Sequence, residues 1–370
     1  MSENNKRQRP KVGITIGDTN GIGIEVILKA VGVPEMMEIC VPVIYGSSKI
    51  ISYHRNALDI PGFQINHTKD ASHVKDNMPN LVECINQEIK VELGQPSKQA
   101  GMAAFTALEA AVRDLKAGVI DVLVTAPISK ENIQSEQFHF PGHTEYLESA
   151  AGEGAKALMI LCADDLRIAL ATTHMPVAEV PAALSAEGIR EKLNLFNASL
   201  KRDFDIDCPR IAVLSLNPHG GENGLLGKEE NEIIKPAMQQ SLDEDGVQCF
   251  GPFAADGFFG NRQYRRFDGV LAMYHDQGLA PFKTIAMDEG VNFTAGLPIV
   301  RTSPDHGTGY DIAGQGIANE SSMRHAIYTA IDVHRHRIQF DEPRQNPLPK
   351  LFQDRGRDNV KLDLTKGEKD

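Results

Sequence analysis

The segment that decides the fold reads QAGMAAFTALEAAVRDLKAGVIDVLVT, residues 99–125. Its first part has helical periodicity and strong helix formers, which predicts a helix over residues 99–117. Gly118 is a suitable residue to end that helix, and the apolar run 119–125 predicts a buried strand. A helix that leads directly into a buried strand is typical of βαβ units in a mainly parallel sheet.

The same alternation continues on both sides of this segment. Residues 23–30, which follow the first strand, are predicted to form the start of a helix. Further strands are predicted at residues 11–16, 41–45, 157–162, 167–172, 210–216 and 269–274. We therefore predict an α/β fold whose ligands bind at the carboxyl ends of the strands.

Size and charge limit the classes of protein that fit. The chain has 370 residues, with 38 Lys and Arg against 50 Asp and Glu, a formal net charge of −12. A chain longer than roughly 250–300 residues is expected to form more than one domain. The acidic balance argues against a nucleic-acid partner. Five separated cysteines without a Cys-x-x-Cys pair predict reduced thiols.

The chain also lacks the patterns of membrane or secreted proteins. No stretch approaches the roughly 20 apolar residues that span a bilayer, and the N-terminal residues 1–10 are polar and basic. We expect a cytoplasmic protein without a membrane partner.

The familiar nucleotide-binding motifs are absent. The glycine-rich turn GDTNGIGIE (residues 17–25) fails the Gly-x-Gly-x-x-Gly pattern, because Val26 stands at the last position. The run NGLLGK (residues 223–228) is followed by Glu229, where a P-loop needs Ser or Thr. We expect no conventional Rossmann motif, and no cofactor-binding residues can be assigned. The turn at 17–23 could bind an anion or serve only as a structural turn.

Three histidines follow buried strands in matched contexts. His174, His219 and His275 each come just after a predicted strand and are followed by Gly or Pro. A lone histidine in such a place is usually a hydrogen-bonded loop residue. Because the carboxyl ends of parallel strands meet at one edge, three of them predict a divalent-metal site that leaves room for substrate. The spacing leaves open whether the ligands come from one subunit or from two.

A second polar cluster is directed at anions. His143 and Thr144 stand at the mouth of a predicted helix, where amides and hydroxyls can hold a phosphate. The alternative is that Thr144 is only the N-cap of that helix. Lys283 and Arg301 could hold a phosphate, Lys as a point charge and Arg as a bidentate fork.

Eight motifs together resemble one family, the 4-hydroxythreonine-4-phosphate dehydrogenases of pyridoxal phosphate biosynthesis. The resemblance covers residues from about 11 to about 330. The motifs are GDTNGIGIE (17–25), VTAPISK (124–130), FPGHTEY (140–146), TTHMP (172–176), LNPHGGE (216–222), GPFAAD (251–256), MYHDQG (273–278) and GLPIVRTSPDHG (296–307). The chain departs from the usual family sequence at several positions, among them Thr19 and Asn20.

The resemblance implies an isocitrate/isopropylmalate-dehydrogenase-like fold with two α/β domains around a central cleft. We place one domain at residues 1–138 and 303–370 and the other at 139–302. It also implies a homodimer with a shared active site, in which His174 and His219 from one subunit and His275 from the other hold a divalent metal. Zinc is the first choice for this metal, and magnesium and cobalt are alternatives. The family's substrate contacts fall on His143, Thr144, Lys283, Asn292 and Arg301.

The implied reaction is the NAD- or NADP-dependent oxidation of 4-phosphooxy-L-threonine to 2-amino-3-oxo-4-phosphooxybutanoate. That product decarboxylates to 3-amino-2-oxopropyl phosphate. Asp256 and Asp276 are candidates for the catalytic group or for metal coordination, and a structural role fits either equally well.

Three alternatives remain. A related dehydrogenase could act on another phosphorylated hydroxy acid, such as 4-phospho-D-threonate or phosphoerythronate. Three histidines could also serve a metal hydrolase, or the chain could bind a phosphometabolite without catalysis. Residues 338–370, rich in proline and charge, are predicted to form a surface extension or frayed tail.

Overall fold

The computed structural model describes residues 9–60, 62–134, 138–140, 142–152 and 154–347. Within these residues twelve strands form one sheet. They are β1 (Lys11–Thr15), β2 (Val41–Gly46), β3 (Asn66–Thr68), β4 (Asn80–Glu83), β5 (Val122–Thr125), β6 (Leu158–Ala163), β7 (Leu166–Leu170), β8 (Ile211–Leu214), β9 (Cys249–Phe253), β10 (Gly269–Ala272), β11 (Val291–Ala295) and β12 (Arg301–Pro304).

Helices connect the strands and cover the sheet. The described α-helices are α1 (Gly23–Val31), α2 (Met36–Ile39), α3 (Ser48–Ala57), α4 (Lys98–Lys116), α5 (His143–Ala151), α6 (Val180–Ala183), α7 (Ala186–Arg202), α8 (Lys235–Asp245), α9 (Ala255–Gly260), α10 (His275–Ala286) and α11 (Ser321–Gln345). No helix in the described part of the chain has the length and apolar character needed to cross a membrane.

The predicted helix at 99–117 is confirmed as α4. The Ser97 side chain caps it by accepting a hydrogen bond from the Ala100 amide at 3.2 Å. Gly118 follows its end with a φ of +68°, a conformation that glycine adopts without strain. Small buried residues allow α4 to pack closely, and Gly101 lies against the backbone of Asn132.

The strand order is β3-β4-β2-β1-β5-β12-β11-β6-β7-β10-β8-β9. Most pairs are parallel, as predicted, but three pairs in the middle are antiparallel: β12 with β11, β11 with β6, and β6 with β7. β6 and β7 form a hairpin because only two residues separate them, whereas a parallel pair needs a long crossover. The α/β fold class is confirmed.

The sheet runs without a break through both predicted domains. β12 pairs with β5 on one side and with β11 on the other, so the two halves meet near the predicted boundary at 302/303. The division into two domains stays a prediction. Its outermost parts, residues 1–8 and 348–370, lie outside the described residues.

The predicted C-terminal tail begins later than expected. α11 continues to Gln345, so residues 338–345 are helical rather than a surface extension. Two ion pairs hold this part of the helix: Arg337 with Asp203 at 2.6 Å, and Asp341 with Arg202 at 2.6 Å. The prediction for residues 348–370 falls outside the described part of the chain.

Candidate active site

The three strand-end histidines belong to neighbouring strands. β10 lies between β7 and β8 and is parallel to both. His174 follows β7, His275 follows β10 and His219 follows β8. All three segments therefore leave the sheet at the same edge, as the sequence predicts.

Hydrogen bonds tie these three strand ends together. The Thr172 hydroxyl donates to the Met273 carbonyl at 2.7 Å, which joins the end of β7 to the end of β10. Gln277 accepts from the Met273 amide at 2.8 Å and donates to the Ser215 carbonyl at 2.6 Å. Because Ser215 follows β8, one glutamine side chain links the His275 segment to the His219 segment.

His174 and His275 form a close pair within one chain. Their ring centroids lie 6.0 Å apart. Zinc–nitrogen bonds of about 2.0–2.1 Å put the ring centres of two ligands of one ion roughly 5–6 Å apart. The Nδ1 atom of His275 lies 2.7 Å from Asp276 Oδ1, so this carboxylate can hold the ring and leave Nε2 as a ligand atom. The pair therefore fits a divalent metal such as zinc.

His219 is not part of this pair. It is exposed, and it does not line the cleft that holds the other two histidines. Among the described residues, no three His, Cys, Asp or Glu side chains of one chain are placed to hold a metal ion. The resemblance grouped His174 with His219 in one subunit, whereas the geometry pairs His174 with His275. His219 instead lies in the segment Pro218–Gly224 that follows β8, where its side chain is exposed.

All five predicted substrate residues line one cleft of about 340 Å³, together with His174 and His275. They are His143, Thr144, Lys283, Asn292 and Arg301. They come from segments far apart in the chain: two from the start of α5, one from α10, and one each from β11 and β12.

Arg301 is a buried cation whose hydrogen-bond partners are neutral. Its side chain donates to Thr125 Oγ at 2.7 and 3.0 Å, to Thr294 Oγ at 3.1 Å and to His143 Nδ1 at 3.3 Å. Burial lowers the pKa of Arg301 to about 10, against an opposing effect of Glu145. The guanidinium is still charged at neutral pH, so it leaves a positive charge at the cleft.

His143 is held in its neutral form. Burial, and then the charge of Arg301, lower its pKa well below the ordinary value of 6.5. Since Nδ1 accepts from Arg301, the ring proton resides on Nε2, and that buried atom has no hydrogen-bond partner. Asn292 Oδ1 is likewise buried without a partner. A buried cation beside an unused N–H donor is a suitable place for an anion.

Thr144 is not an N-cap. The N-cap of α5 is Gly142, and Thr144 belongs to the first turn of the helix, where the residue lines the cleft. The alternative that Thr144 is only the N-cap of the helix is therefore wrong. Lys283 lies 3.6 Å from Asp305 Oδ2, so its charge is partly offset.

The two candidate aspartates differ in position. Asp276 contacts His275, as described above. Asp256 is an exposed residue of α9 and does not line the cleft. Within one chain, Asp276 is thus the one of these two candidates that contacts a residue of the cleft.

Three further charged residues of the cleft, Lys130, Glu145 and Asp305, were not predicted. Glu145 Oε1 lies 3.5 Å from His174 Nδ1. Lys130 Nζ lies 3.3 Å from His174 Nε2, and Asp305 contacts Lys283. A signal for Lys130 was present, since VTAPISK begins in β5 and leads off the carboxyl end of that strand. Glu145 and Asp305 also lie in motifs quoted above, FPGHTEY and GLPIVRTSPDHG, but these motifs do not show which residues the two carboxylates contact.

In the glycine-rich turn at residues 17–23, three backbone amides donate hydrogen bonds to acceptors within the protein. Asp18 N donates to Pro127 O, Asn20 N to Asp18 Oδ1, and Ile22 N to Thr308 O. The Asn20 side chain also holds the segment 92–97, donating to Gln95 O at 2.8 Å and accepting from Glu92 N at 2.9 Å. These amides are used within the protein, which favours the structural alternative.

Comparison with known proteins identifies the family. The family model described as "Pyridoxal phosphate biosynthetic protein PdxA" matches residues 38–330. A 4-hydroxythreonine-4-phosphate dehydrogenase from Bacteroides thetaiotaomicron is 55% identical over 371 residues, covering 100% of both chains. The chain belongs to the PdxA family.

Other relatives agree with this membership of the PdxA family. A crystal structure of 4-hydroxythreonine-4-phosphate dehydrogenase from Klebsiella pneumoniae is similar with a TM-score of 0.76 and 31% identity, over 89% of this chain and 99% of that one. A protein from Oceanobacillus iheyensis named "Putative D-threonate 4-phosphate dehydrogenase" is 38% identical over 88% of this chain and 98% of its own length. The chain is accordingly an oxidoreductase that acts on a hydroxyl group, and it uses a nicotinamide cofactor.

Proposed function

We propose that this PdxA-family chain oxidises 4-phosphooxy-L-threonine to 2-amino-3-oxo-4-phosphooxybutanoate, with NAD or NADP as the hydride acceptor. The product is a β-keto acid, and it decarboxylates to 3-amino-2-oxopropyl phosphate in pyridoxal 5'-phosphate biosynthesis. One observation carries the proposal. A single cleft contains the buried cation Arg301, which has no carboxylate within ion-pair distance, and the imidazole pair of His174 and His275.

The buried cation would take the phosphate. Arg301 offers a planar fork that matches phosphate oxygens, and the unused Nε2–H of His143 adds a donor beside it. Thr144 adds a hydroxyl at the first turn of α5, where the helix dipole favours negative charge. Lys283 adds a second positive charge. This arrangement would position the substrate before chemistry, which accounts for a large part of catalysis.

The imidazole pair would hold a divalent cation, zinc in our proposal, with magnesium and cobalt as alternatives. The chemistry that the metal and the nicotinamide supply when bound is Lewis-acid polarisation of the hydroxyl and acceptance of the hydride. Asp276 fixes the ring of His275 so that Nε2 is available. Lys130 adds positive charge beside His174, where the substrate hydroxyl would lose its proton.

The third ligand would be His219 from a second copy of the chain, which makes the active enzyme a homodimer. His219 is exposed, and it is followed by Leu225 and Leu226, which are 77% and 44% exposed. Exposed apolar side chains beside a ligand residue are expected where another protein surface packs. This proposed allocation, His174 and His275 from one chain with His219 from the other, differs from the one that the resemblance implies, which takes His275 from the second chain.

A turnover assay tests the proposed function. Protein is mixed with zinc, NAD⁺ or NADP⁺ and a panel of phosphorylated hydroxy acids, and the absorbance of reduced nicotinamide is followed. We expect 4-phosphooxy-L-threonine to give the highest kcat/KM, and His174→Ala to abolish turnover while the exposed control His73→Ala retains it. Reduction of neither cofactor by any member of the panel would contradict the dehydrogenase proposal.

A second substrate is favoured by one relative. The Oceanobacillus iheyensis protein carries the name of a D-threonate 4-phosphate enzyme. The phosphate end of the cleft would serve that substrate equally, so the same panel, with 4-phospho-D-threonate and phosphoerythronate included, separates the candidates. The relatives reported above are dehydrogenases by name, which leaves the hydrolase alternative without support.

A further inference from the structure

His219 is presented by an unusual backbone turn. All six residues from His219 to Gly224 have positive φ angles, of 53°, 64°, 74°, 44°, 57° and 98°. Three of the six, His219, Glu222 and Asn223, are not glycine. L-residues rarely adopt this left-handed conformation, and it persists only where the surrounding structure holds it. We name residues 219–224 the left-handed turn.

A buried carboxylate holds Asn217, two residues before the start of this turn. The side chain of Glu230 is fully buried. Its Oε1 atom accepts a hydrogen bond from the Asn217 amide at 2.7 Å, and its Oε2 atom accepts one from Asn217 Nδ2 at 3.1 Å. Asn217 Nδ2 also donates to Glu229 Oε2 at 2.7 Å. Both oxygens of Glu230 therefore fix the main chain and side chain of Asn217, two residues before His219.

Glu230 and Asn217 also pack against glycines of the turn and its exit. A Cβ on Gly221 would lie 2.4 Å from Glu230 Oε2, and a Cβ on Gly227 would lie 2.1 Å from Asn217 Nδ2. Gly220, by contrast, has open space around it. A side chain at position 221 would clash with the Glu230 carboxylate, and one at position 227 would clash with the Asn217 amide. Both positions therefore require glycine. The left-handed turn, Asn217 and Glu230 are therefore packed and hydrogen-bonded as one unit.

We propose that Glu230, acting through Asn217, is the positioning residue that holds His219 in place as a metal ligand. The inference rests on the proposed function, because it assumes that His219 binds the divalent cation. Because Glu230 is fully buried, it would contact neither the substrate nor the metal directly. Its effect is on the orientation of the left-handed turn, which without this carboxylate would relax to ordinary backbone angles and withdraw the imidazole.

Direct metal titration tests the inference. Zinc and cobalt binding to the purified full-length protein is measured by calorimetry for wild type, Glu230→Gln and the matched control Glu232→Gln. Glu232 is an exposed residue two positions further along the same helical segment. Glutamine at 230 places an N–H group against the N–H groups of Asn217. We expect Glu230→Gln to bind metal about 10–100-fold more weakly, the range typical of supporting residues around metal sites. We expect Glu232→Gln to match wild type.

The visible spectrum of bound cobalt gives a second readout that a general loss of stability would not produce. We expect folded Glu230→Gln, saturated with cobalt, to show an altered spectrum, because one ligand is displaced. A folded Glu230→Gln protein with wild-type affinity and an unchanged cobalt spectrum would overturn the inference while the proposed function stands. Failure of wild type to bind either ion would contradict the proposed metal site, and the inference with it.

A glycine pair keeps the inference testable if Glu230→Gln does not fold. Gly220→Ala and Gly221→Ala both place a methyl group at positive φ, but only the second meets Glu230. We expect the metal dissociation constant of Gly221→Ala to be at least several-fold higher than that of Gly220→Ala. Equal affinities in the two variants would count against a role for the contact with Glu230.

Discussion

Arg301 is 3% exposed and has no carboxylate within ion-pair distance among the described residues. A buried charge is costly unless it is paired, and hydrogen bonds to two threonines and a histidine offset only part of that cost. The folded protein therefore carries an unfavourable arrangement that an anionic ligand would relieve. This is the pattern expected of a binding residue rather than of a structural one.

Replacement of Arg301 separates these roles. In Arg301→Met we expect a KM for the phosphorylated substrate at least about 100-fold higher, because charge-assisted hydrogen bonds are lost. We expect the free energy of unfolding to stay within about 1 kcal/mol of wild type or to rise, since an unpaired buried cation is removed. Steady-state kinetics and chemical denaturation measure the two effects, with the exposed Arg265→Met as control. An unchanged KM would contradict the assignment.

The buried His54 predicts how stability depends on pH. Burial lowers the pKa of His54 below its ordinary value of 6.5, although its Nε2–H donates to the Thr19 carbonyl. The unfolded chain therefore binds a proton that the folded chain does not. Stability from this group is complete above pH 6.5 and falls as the pH drops below it, by up to about 1.4 kcal/mol per pH unit.

Denaturation between pH 7 and pH 5 checks this dependence. We expect His54→Gln to show a shallower loss of stability on acidification than wild type, even if its stability at pH 7 is lower. The exposed His73→Gln is the control and should keep the wild-type slope. A His54→Gln slope equal to wild type would show that His54 does not titrate in this way.

The residues that line the cleft could be predicted from motifs, but the residues that they contact could not. His143, Thr144, Lys283, Asn292 and Arg301 could be named from the resemblance, and the structure places all five in one cleft. Glu230 gave no signal, because its role depends on full burial and on a hydrogen bond to a residue 13 positions earlier. Pairing of that kind is set by the fold rather than by local sequence.

At the scale of elements, periodicity located most strands and helices, while loop length decided their direction. The alternation of helix and strand correctly indicated parallel pairing around β10, where the histidines lie. It missed the β6–β7 hairpin, since each strand looks the same from sequence whether it runs parallel or antiparallel. The left-handed turn was also missed. Adjacent glycines at 220 and 221 suggest a sharp turn, but they do not predict that His219 shares its conformation.

The contact between α4 and the 126–134 segment gives a prediction for this scale. A Cβ on Gly101 would lie 2.0 Å from the Asn132 carbonyl oxygen, a rigid backbone atom. We expect Gly101→Ala to lower the free energy of unfolding by about 1–3 kcal/mol through overpacking, despite the better helix propensity of alanine. Gly257→Ala, in α9 with open space around it, should be neutral or stabilising. Equal effects in thermal denaturation would contradict the close contact.

At the scale of the whole molecule, a buried ion pair joins α11 to the C-terminal end of α7. Arg337 bonds Asp203 at 2.6 Å, and its guanidinium also donates to the carbonyls of residues 297–299. We expect Asp203→Ala to cost about 3–5 kcal/mol, because a buried cation is left unpaired. Asp341→Ala, which breaks the more exposed pair with Arg202, should cost at most about 1 kcal/mol. Chemical denaturation of both variants compares them.

The double variant Asp203→Ala/Arg337→Met supplies the check on this reasoning. If the cost arises from an unpaired charge, removal of both partners should recover part of the lost stability. A double variant less stable than Asp203→Ala alone would mean that Arg337 contributes mainly through its bonds to the carbonyls of 297–299.

The central claim is that the site combines His174 and His275 of one chain with His219 of another. Co-expression of two differently tagged chains, His174→Ala and His219→Ala, followed by purification on both tags, gives a heterodimer that tests it. One site of this heterodimer carries both substitutions and the other carries none, so we expect about half of the metal and turnover of wild-type dimer. The matched heterodimer of His174→Ala with His275→Ala should show neither. Restored metal binding in the second heterodimer and none in the first would contradict the account.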